Sequence, residues 1–266
     1  MTTEMVSNPR SQRPKVDLQG IAFDAITEYE TSAHIIDALR RHQGGYIVTA
    51  NLDHLLRCKR YPRYKALVNK ADLVIADGMP LIWASQLQGT PLPERVAGST
   101  LCISLARALA DHGKSLFLLG GNPGSAEQAA IAMKQRTPGL RIAGTFCPEF
   151  GFESDPAQLE AIHHLLQAAK PDMVYVALGS PKQENLIDRL RLEFPGMWWM
   201  GVGISLSFIS GEVQRAPLWM QRLGLEWIHR LTQEPGRLAK RYLVDGIPFA
   251  IVLLTESAFR RLNRRR

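Results

Sequence analysis

Short apolar runs alternate with segments of helical periodicity along most of the chain. A run that stays apolar at consecutive positions predicts a strand buried on both faces, as in a parallel sheet. The runs that predict strands are Tyr46–Thr49, Leu73–Ala76, Ser115–Leu119, Leu140–Ala143, Met173–Leu178 and Met197–Met200. The segments that predict helices are Thr31–His42, Thr100–His112, Ser125–Arg136, Pro156–Ala169 and Pro181–Glu193.

This alternation predicts an α/β fold in which a Rossmann-like parallel sheet is sandwiched by helices. Two of the helices begin with proline, a favoured first helical residue, and Asp155 and Ser180 stand where their caps are expected. In such sheets ligands bind beyond the carboxyl ends of the strands. The residues that follow each apolar run are therefore the candidates for a site.

The charge of the chain is concentrated at its C-terminal end. The 266 residues carry a net charge of +7, and 11 Lys/Arg against 5 Asp/Glu after residue 210 account for +6 of it. The pattern there is helical, with no strand signal, so we predict three parts. These are a disordered leader over residues 1–15, an α/β domain over 16–210 and a basic helical appendage over 211–266. A composition of 45% hydrophobic residues excludes a wholly disordered chain.

Neither a secreted nor a membrane-spanning protein is predicted. Cys58, Cys102 and Cys147 are widely spaced, which indicates a reducing cytoplasm rather than a disulfide framework or zinc site. The charge-free stretch Phe194–Gly211 is interrupted by glycines, and the apolar Gly246–Thr255 is short for a membrane span. Contact at a membrane surface is the membrane role that remains. The sequence leaves oligomeric state open, and a homo-oligomer is compatible with it.

Polar side chains follow the first two predicted strands. Thr49 and Asn51 end the first, and Asp77 follows the second, before a glycine and a helix-opening proline. A carboxylate at a strand's carboxyl end is well placed to act as a general base. The alternative, that Asn51 and Asp77 only cap the next helices, is about equally favoured by the sequence.

Two further strand ends have the composition of a nucleotide site. Gly120, Gly121 and Gly124 precede a helix whose N-terminus could hold a diphosphate, although they match neither a GxGxxG fingerprint nor a Walker loop. Lys182, Gln183 and Glu184 could contact a nucleoside, or form a solvated first helical turn. Between these segments, Arg95 could bind a phosphate or pair with Glu94. The histidines lack metal-ligand spacing, so no metal and no cofactor are predicted.

These motifs, taken in order, resemble those of the WecG/TagA/CpsF glycosyltransferases. The matching motifs are Thr49–Asn51, Ala76–Pro80, Glu94–Gly98, Leu119–Gly124, Leu178–Glu184 and Arg215–Pro217. The segment Gly224–Leu231, followed by Glu234-Pro235, Arg237 and Arg241-Tyr242, is similar to the C-terminal signature of that family. The resemblance covers most of the chain, from about Val16 to Tyr242.

The resemblance implies inverting transfer of a sugar from a UDP-sugar, of the ManNAc, ManNAcA or glucose type, to a polyprenyl-diphosphate-linked saccharide. It implies a peripheral enzyme on the cytoplasmic face of the plasma membrane, with residues 16–210 catalytic and 211–266 membrane-associating. Asp77 matches the proposed base, and Thr49, Asn51 and Gln183 match its pocket. The glycine loop, with Lys182, Gln183 and Glu184, lines the UDP side. Members of the family use no metal held by a DxD motif, and this chain has no DxD.

Without a metal, cations must stabilise the departing UDP. The candidates in the appendage are Arg215, Arg222, Arg230, Arg237 and Arg241, which could bind the diphosphate of UDP or of the lipid carrier. Trp219 and Trp227 could lie at the membrane interface or pack on the α/β domain. Ser207 replaces an aspartate usual in the family, which leaves a non-catalytic UDP-sugar-binding or scaffolding protein as the alternative. Nucleic-acid binding is disfavoured because no known module is present.

Overall fold

Eight strands form a six-stranded parallel sheet and a separate hairpin in the computed structural model, which describes residues 13–264. They are β1 (Lys15–Leu18), β2 (Ile21–Asp24), β3 (Gly45–Ala50), β4 (Leu73–Ala76), β5 (Ser115–Gly120), β6 (Arg141–Phe146), β7 (Met173–Ala177) and β8 (Trp198–Gly201). The order across the sheet is β4-β3-β8-β7-β5-β6, and every neighbouring pair is parallel. The predicted parallel sheet is confirmed, and β6 differs by extending to Phe146.

Within the described residues 13–264, nine α-helices lie between or directly after these strands. They are α1 (Glu28–Arg40), α2 (Leu52–Arg60), α3 (Pro62–Asn69), α4 (Met79–Leu87), α5 (Gly98–Asp111), α6 (Ser125–Arg136), α7 (Pro156–Ala169), α8 (Lys182–Leu190) and α9 (Ser205–Ser210). Successive side chains of a strand face opposite sides of the sheet. Tyr46 and Val48 therefore belong to the hydrophobic core under α2, α3, α4, α7 and α8, whereas Ile47 belongs to the core under α1, α5, α6 and α9. The predicted α/β sandwich is confirmed.

The hairpin of β1 and β2 was not predicted, and it corrects the boundary of the leader. Lys15, assigned to the leader, begins β1, and its ammonium lies 3.2 Å from the Asp24 carboxylate. Asp24 is buried and accepts a hydrogen bond from the Val74 N–H (2.9 Å), so it joins the hairpin to β4. The rest of the predicted leader, residues 1–12, lies outside the described residues.

One of the two predicted helix caps is confirmed, and the other is wrong. The Asp155 carboxylate accepts from the Ala157 N–H (2.9 Å) and caps α7 as expected. Ser180 does not cap α8, because its hydroxyl is paired with the Tyr64 hydroxyl (2.9 Å) of α3. The helix begins two residues later, at Lys182, without a side-chain cap.

The C-terminal part is helical, as the sequence indicated. It contains α10 (Leu218–Arg222), α11 (Glu226–Gln233), α12 (Pro235–Ala239), a π-helical segment (Lys240–Gly246) and α13 (Ile247–Arg264). The last three are continuous, and within residues 13–264 the helix Pro235–Asn263 is long and apolar enough to cross a membrane, by length and composition alone. The apolar segment Gly246–Thr255 lies within this helix, which extends beyond it at both ends and is therefore longer than the apolar segment alone.

This terminal helix is joined to the body. Phe249 and Leu253 of α13 are buried in the same core as α2, α3 and α4. Arg260 pairs with Asp17 at 2.7 Å, so the end of the helix is tied to the β1–β2 hairpin. The boundary at residue 211 therefore marks a change in composition and secondary structure, and a separate appendage stays a prediction.

Candidate active site

Asp77 lies at the carboxyl end of β4, beside the end of β3. Its backbone N–H donates to the Ala50 carbonyl (2.8 Å), and its Oδ2 accepts from the Gly98 N–H (3.0 Å) at the start of α5. Gly98 approaches β3 so closely that a Cβ at this position would lie 2.8 Å from the Thr49 Oγ1. Thr49, Asp77 and Gly98 therefore share one pocket at the edge of the sheet where ligands bind.

Burial raises the pKa of the Asp77 carboxyl above its ordinary value. The Gly98 N–H and the positive charge of Arg95 oppose this shift, whereas the negative charge of Glu226 adds to it. Arg95 and the appendage residue Glu226 are therefore both within electrostatic range of the carboxylate. Its Oδ1 makes no hydrogen bond to residues 13–264 and can accept a proton from a bound substrate. A carboxylate of raised pKa accepts a proton more readily than an exposed one, which suits a general base.

Asn51 combines the two roles that the sequence left open. Its Oδ1 accepts from the backbone N–H groups of Asp53 (3.1 Å) and His54 (3.3 Å), so Asn51 caps α2. Asn51 also borders the pocket of Asp77. Gly78 directly follows Asp77, and a Cβ at Gly78 would lie 3.8 Å from the Asn51 Cβ. Capping therefore fixes Asn51 beside Asp77.

The glycine loop lies at the carboxyl end of β5, at the point where connections from β7 and β5 leave in opposite directions across the sheet. The Gly121 N–H donates to the Ala177 carbonyl (2.8 Å), and Gly124 adopts the left-handed conformation (φ 83°) that starts α6. Gly120, also at positive φ, lies against the Ala177 carbonyl, which a Cβ would approach to 2.7 Å. The three predicted glycines thus shape a turn at the topological switch point.

A carboxylate of the chain itself already lies at the start of α6. Glu212 accepts hydrogen bonds from Ser125 (2.5 Å) and Asn122, which, with Ser207, hold the pKa of Glu212 below its ordinary value. A second anion beside this ionised group would be repelled. Binding of a diphosphate at this helix start therefore stays a prediction, and Ser207 is part of the support of Glu212.

The polar residues after β7 separate into two groups. Lys182 faces outward, where it pairs with Glu153 (2.5 Å) and lies over the Phe150 ring (4.7 Å). Gln183 and Glu184 are instead buried, with 5% and 2% of their surfaces exposed. The predicted solvated first turn applies to Lys182, whereas Gln183 and Glu184 face the protein interior.

The five arginines of the appendage are differently placed. Arg215 donates to the Thr100 hydroxyl (2.9 Å) on α5 and pairs with Glu226 (3.2 Å), near Asp77. Arg230 lies over the Phe208 ring, with 5.9 Å between its Cζ and the ring centre. Arg222 is exposed and makes no contact of this kind within residues 13–264. The structure therefore brings Arg215 to the base pocket and leaves Arg222 in solvent.

Arg237 and Arg241 line a cleft of about 320 Å³ between α2 and the appendage. The cleft contains five cationic and two acidic side chains, and its lining is Asp53, Leu56, Arg57, Arg60, Tyr61, Arg237, Lys240, Arg241 and Asp245. Arg241 pairs with Asp53 (3.1 Å), two residues after Asn51, so the cleft adjoins the base pocket. The buried Nε atoms of Arg57 and Arg241 have no hydrogen-bond partner among residues 13–264, which leaves donors for an anion.

The sequence motifs did not identify several residues of this region. His54, Arg57 and Arg60 follow Asn51 at intervals of three, which places them near one face of α2. This spacing is the signal that could have identified them. His54 pairs with Glu184 and Arg60 pairs with Asp245, and both partners lie far away in the sequence, so only the fold reveals these two pairings.

No metal centre or reactive thiol is formed in the described part of the chain, residues 13–264. No group of three or more His, Cys, Asp or Glu side chains is placed to hold a metal there. All three cysteines are free, and burial raises the pKa of Cys58 and Cys102 to about 12. A thiol with so high a pKa is a poor nucleophile.

Thr49, Asn51 and Asp77 therefore lie together at the carboxyl edge of a parallel sheet, beside a cleft lined by arginines. The model of the glycosyl transferase WecG/TagA/CpsF family matches residues 16–263. The chain is 34% identical to an N-acetylglucosaminyldiphosphoundecaprenol N-acetyl-beta-D-mannosaminyltransferase of Bacillus spizizenii, over 88% of this chain and 86% of that protein. A protein of the same name from Staphylococcus aureus is 31% identical, over 89% and 91%. The chain belongs to the WecG/TagA/CpsF family and is a glycosyltransferase.

The contact between Gly98 and Thr49 gives a first prediction. Gly98→Ala is expected to lower kcat/KM for glycosyl transfer by about 100-fold, because the added Cβ displaces Thr49 and the N–H that holds Asp77. Gly196→Ala is the matched control, since the nearest atom to its added Cβ is 3.9 Å away. Steady-state kinetics of the two variants check this, and equal kinetics would show that Thr49 has no part in the pocket.

Proposed function

We propose that this glycosyltransferase moves a sugar from a UDP-sugar to a polyprenyl-diphosphate-linked saccharide, with inversion at the anomeric carbon and Asp77 as the base. The main support for this proposal is the Asp77 carboxylate, which lies in a pocket beside Thr49 and Asn51. Its pKa is raised, and its Oδ1 accepts no hydrogen bond from residues 13–264. The pocket adjoins a cleft rich in cations, which supports a substrate with a diphosphate.

The reaction is a single displacement. The Asp77 Oδ1 takes the proton of the acceptor hydroxyl as its oxygen bonds to the anomeric carbon of the donor sugar. The bond from that carbon to the UDP oxygen breaks on the opposite face, and UDP leaves with the electron pair. One displacement inverts the anomeric centre. Negative charge develops on the leaving diphosphate, and arginines of the appendage stabilise it.

The donor is assigned to the switch point between β7 and β5. The turns of Gly120 and Gly179 open the sheet edge there, where α/β proteins bind nucleotides. Because Glu212 holds the start of α6, the glycine loop contacts the nucleoside, and the diphosphate lies toward the appendage. Arg215, which contacts Thr100 of α5, and Arg230, which lies over Phe208 of α9, are the candidates to hold the diphosphate. The ManNAc type is the first donor to test, because the relatives are named as mannosaminyltransferases.

The acceptor is assigned to the cleft of Arg57, Arg60, Arg237, Lys240 and Arg241. The two relatives are named for N-acetylglucosaminyldiphosphoundecaprenol, and we propose a lipid-linked diphosphate saccharide for this chain too. Its diphosphate would lie among these cations, whose unpartnered Nε donors are suited to phosphate oxygens. The saccharide would extend past Asp53 to Asp77.

We also place the enzyme on the inner face of the plasma membrane, with its terminal helix parallel to the surface. Val244, Ile247, Ile251, Phe259 and Leu262 form an exposed apolar face of this helix, which we call the apolar stripe. The opposite face is buried through Phe249 and Leu253. A helix with one exposed apolar face and one face packed on the protein is suited to lie in the membrane interface. The nearby cationic side chains favour binding to an anionic leaflet. Trp219 is also exposed, whereas Trp227 packs against Tyr242 (5.9 Å).

A donor panel tests the proposed function. UDP-ManNAc, UDP-ManNAcA, UDP-GlcNAc and UDP-glucose are each incubated with a short-chain GlcNAc-diphospho-lipid, and UDP release is measured. Release is expected with one donor and only when acceptor is present, and NMR of the product is expected to show the inverted anomer. Retention of the donor's anomeric configuration would exclude the single displacement. Absence of release with every donor, from folded enzyme, would reject the assigned substrates.

A further inference from the structure

The Asn51 carboxamide is held in one orientation by a histidine that no sequence motif singled out. We propose that His54 is a positioning residue for the transfer, which orients Asn51 through its Nδ1 and is itself held by the buried Glu184. The inference rests on the proposed function, because Asn51 acts there beside Asp77. It adds to that function a link from the base pocket into the protein interior.

The hydrogen bonds around Asn51 define which ring nitrogen carries a proton. The Asn51 Oδ1 already accepts two backbone N–H groups, so the oxygen of the carboxamide faces the start of α2. The His54 Nδ1 is 2.8 Å from that oxygen. A carboxamide oxygen cannot donate, so Nδ1 must carry the hydrogen. The Asn51 N–H lies 3.4 Å from Nδ1 and could donate to it, completing a capping box, only if Nδ1 carried no hydrogen. The two contacts exclude each other, and we assign the hydrogen bond to the shorter one, at 2.8 Å.

Three donors on one oxygen fix the carboxamide. With Oδ1 turned to the helix, the Asn51 Nδ2 points away from it, and it makes no hydrogen bond to residues 13–264. Both of its hydrogens are therefore free for an oxygen of the substrate. Rotation of the carboxamide by half a turn would present an acceptor to the substrate instead, so the orientation determines what Asn51 can bind.

Glu184 holds the other side of the ring. The His54 Nε2 lies 3.7 Å from the Glu184 Oε1, and this oxygen also accepts from the Gln183 Nε2 (3.0 Å). Burial alone would raise the pKa of Glu184, yet the neighbouring His54 ring and the Gln183 amide hold the pKa of this carboxyl below its ordinary value. A buried ionised carboxylate needs a cationic or donor partner close by, and the ring of His54 provides it.

Gln183 anchors this chain of contacts to the centre of the sheet. Its Oε1 accepts from the Gly203 N–H (3.2 Å) after β8, and a Cβ at Gly201 would lie 2.4 Å from its Nε2. The path from Asn51 through His54, Glu184 and Gln183 therefore joins the ends of β3 and β8. This role explains why the side chains of Gln183 and Glu184 are buried.

Two amide side chains separate the functions of the two ring nitrogens. The amide nitrogen of asparagine takes the position of Nδ1, and that of glutamine takes the position of Nε2. His54→Gln thus keeps a donor to Glu184 but loses the one to Asn51, whereas His54→Asn does the reverse. We expect His54→Gln and His54→Ala to lower kcat by about 100-fold with little change in KM. We expect the His54→Asn variant to retain most of the wild-type kcat.

The opposite order, with His54→Gln active and His54→Asn inactive, would overturn the proposal, because His54 would then serve only to neutralise Glu184. In an enzyme that already carries Asn51→Ala, adding His54→Gln is expected to lower kcat little further, because the effect of His54 on turnover passes through Asn51. Full additivity of the two losses would also contradict the proposal. His164→Asn, at an exposed position on α7, is the control for histidine replacement.

A spectroscopic measurement tests the inference even if the assigned donor or acceptor is wrong. Long-range ¹H–¹⁵N spectra of the histidine rings, with His54 assigned from its loss in His54→Asn, report which nitrogen is protonated. We expect a protonated Nδ1 in the wild type and in the inactive Asp77→Asn variant. An unprotonated Nδ1 in the folded wild type would overturn the role of His54, whatever the enzyme transfers.

Discussion

Asp77→Asn is expected to lower the turnover of glycosyl transfer by about 10²- to 10⁴-fold while the protein remains folded. Asparagine keeps an oxygen that can accept from the Gly98 N–H, so the local backbone is retained. It cannot take the proton of the acceptor hydroxyl. The loss is therefore expected in kcat, with the KM for the donor nearly unchanged.

The same substitution is expected to make the protein more stable at neutral pH. The pKa of Asp77 is raised in the folded state, so the fold binds its proton more tightly than the unfolded chain does. Above the folded pKa the ionised group therefore costs stability, and below the unfolded pKa this cost is absent. Asp77→Asn removes the cost, so its stabilising effect is expected at pH 7 and is expected to vanish in acid.

Thermal unfolding at neutral and acidic pH, together with UDP-release kinetics, checks both effects. In the wild type the acidic limb of kcat/KM is expected above the ordinary range of an aspartate, and it should be missing from the residual activity of Asp77→Asn. Asp111→Asn, at the exposed end of α5, is the control. Undiminished turnover in a folded Asp77→Asn variant would remove Asp77 from the chemistry.

The strands were predictable because a strand buried on both faces leaves a continuous apolar run. All six residues of β5 are buried, and the bounds of α6 and α7 agree with the prediction. The helices α2 and α3 were missed because they are short and rich in basic residues, and their stability depends on packing against the sheet. Ser180 failed as a cap because Tyr64, 116 residues away in the sequence, takes its hydroxyl.

The residues of the candidate site likewise include some that were predictable from the sequence and some that were not. Thr49, Asn51 and Asp77 were predictable because the topology of a parallel sheet brings strand ends to one edge. The cleft of arginines was not predictable. Arg60 pairs with Asp245, which is 185 residues away in the sequence, and no local pattern specifies that pairing. The burial of Gln183 and Glu184 was not predictable, because no local pattern shows that Glu184 lies beside His54 or that Gln183 accepts from Gly203. Their contact with UDP stays a prediction.

The apolar stripe gives the second large effect. Replacing Val244 and Ile251 with aspartate is expected to lower binding to anionic vesicles by about 100-fold or more. Burial of two such side chains in the interface contributes roughly 3 kcal/mol, and the added charges are repelled by the leaflet. Both side chains are more than half exposed, at 65% and 58%, so the fold should tolerate the changes.

Vesicle sedimentation and activity on two acceptors distinguish a loss of membrane binding from a loss of catalysis. The double variant is expected to lose sedimentation and activity on a vesicle-bound long-chain acceptor, but to retain activity on a short-chain soluble one. Ile131→Asp, at an exposed apolar position on α6, is the control and should change neither. A helix that spans the bilayer would have to withdraw Phe249 and Leu253 from the core. Resistance of the bound wild type to extraction by high salt and alkali would favour that arrangement over a helix lying at the surface.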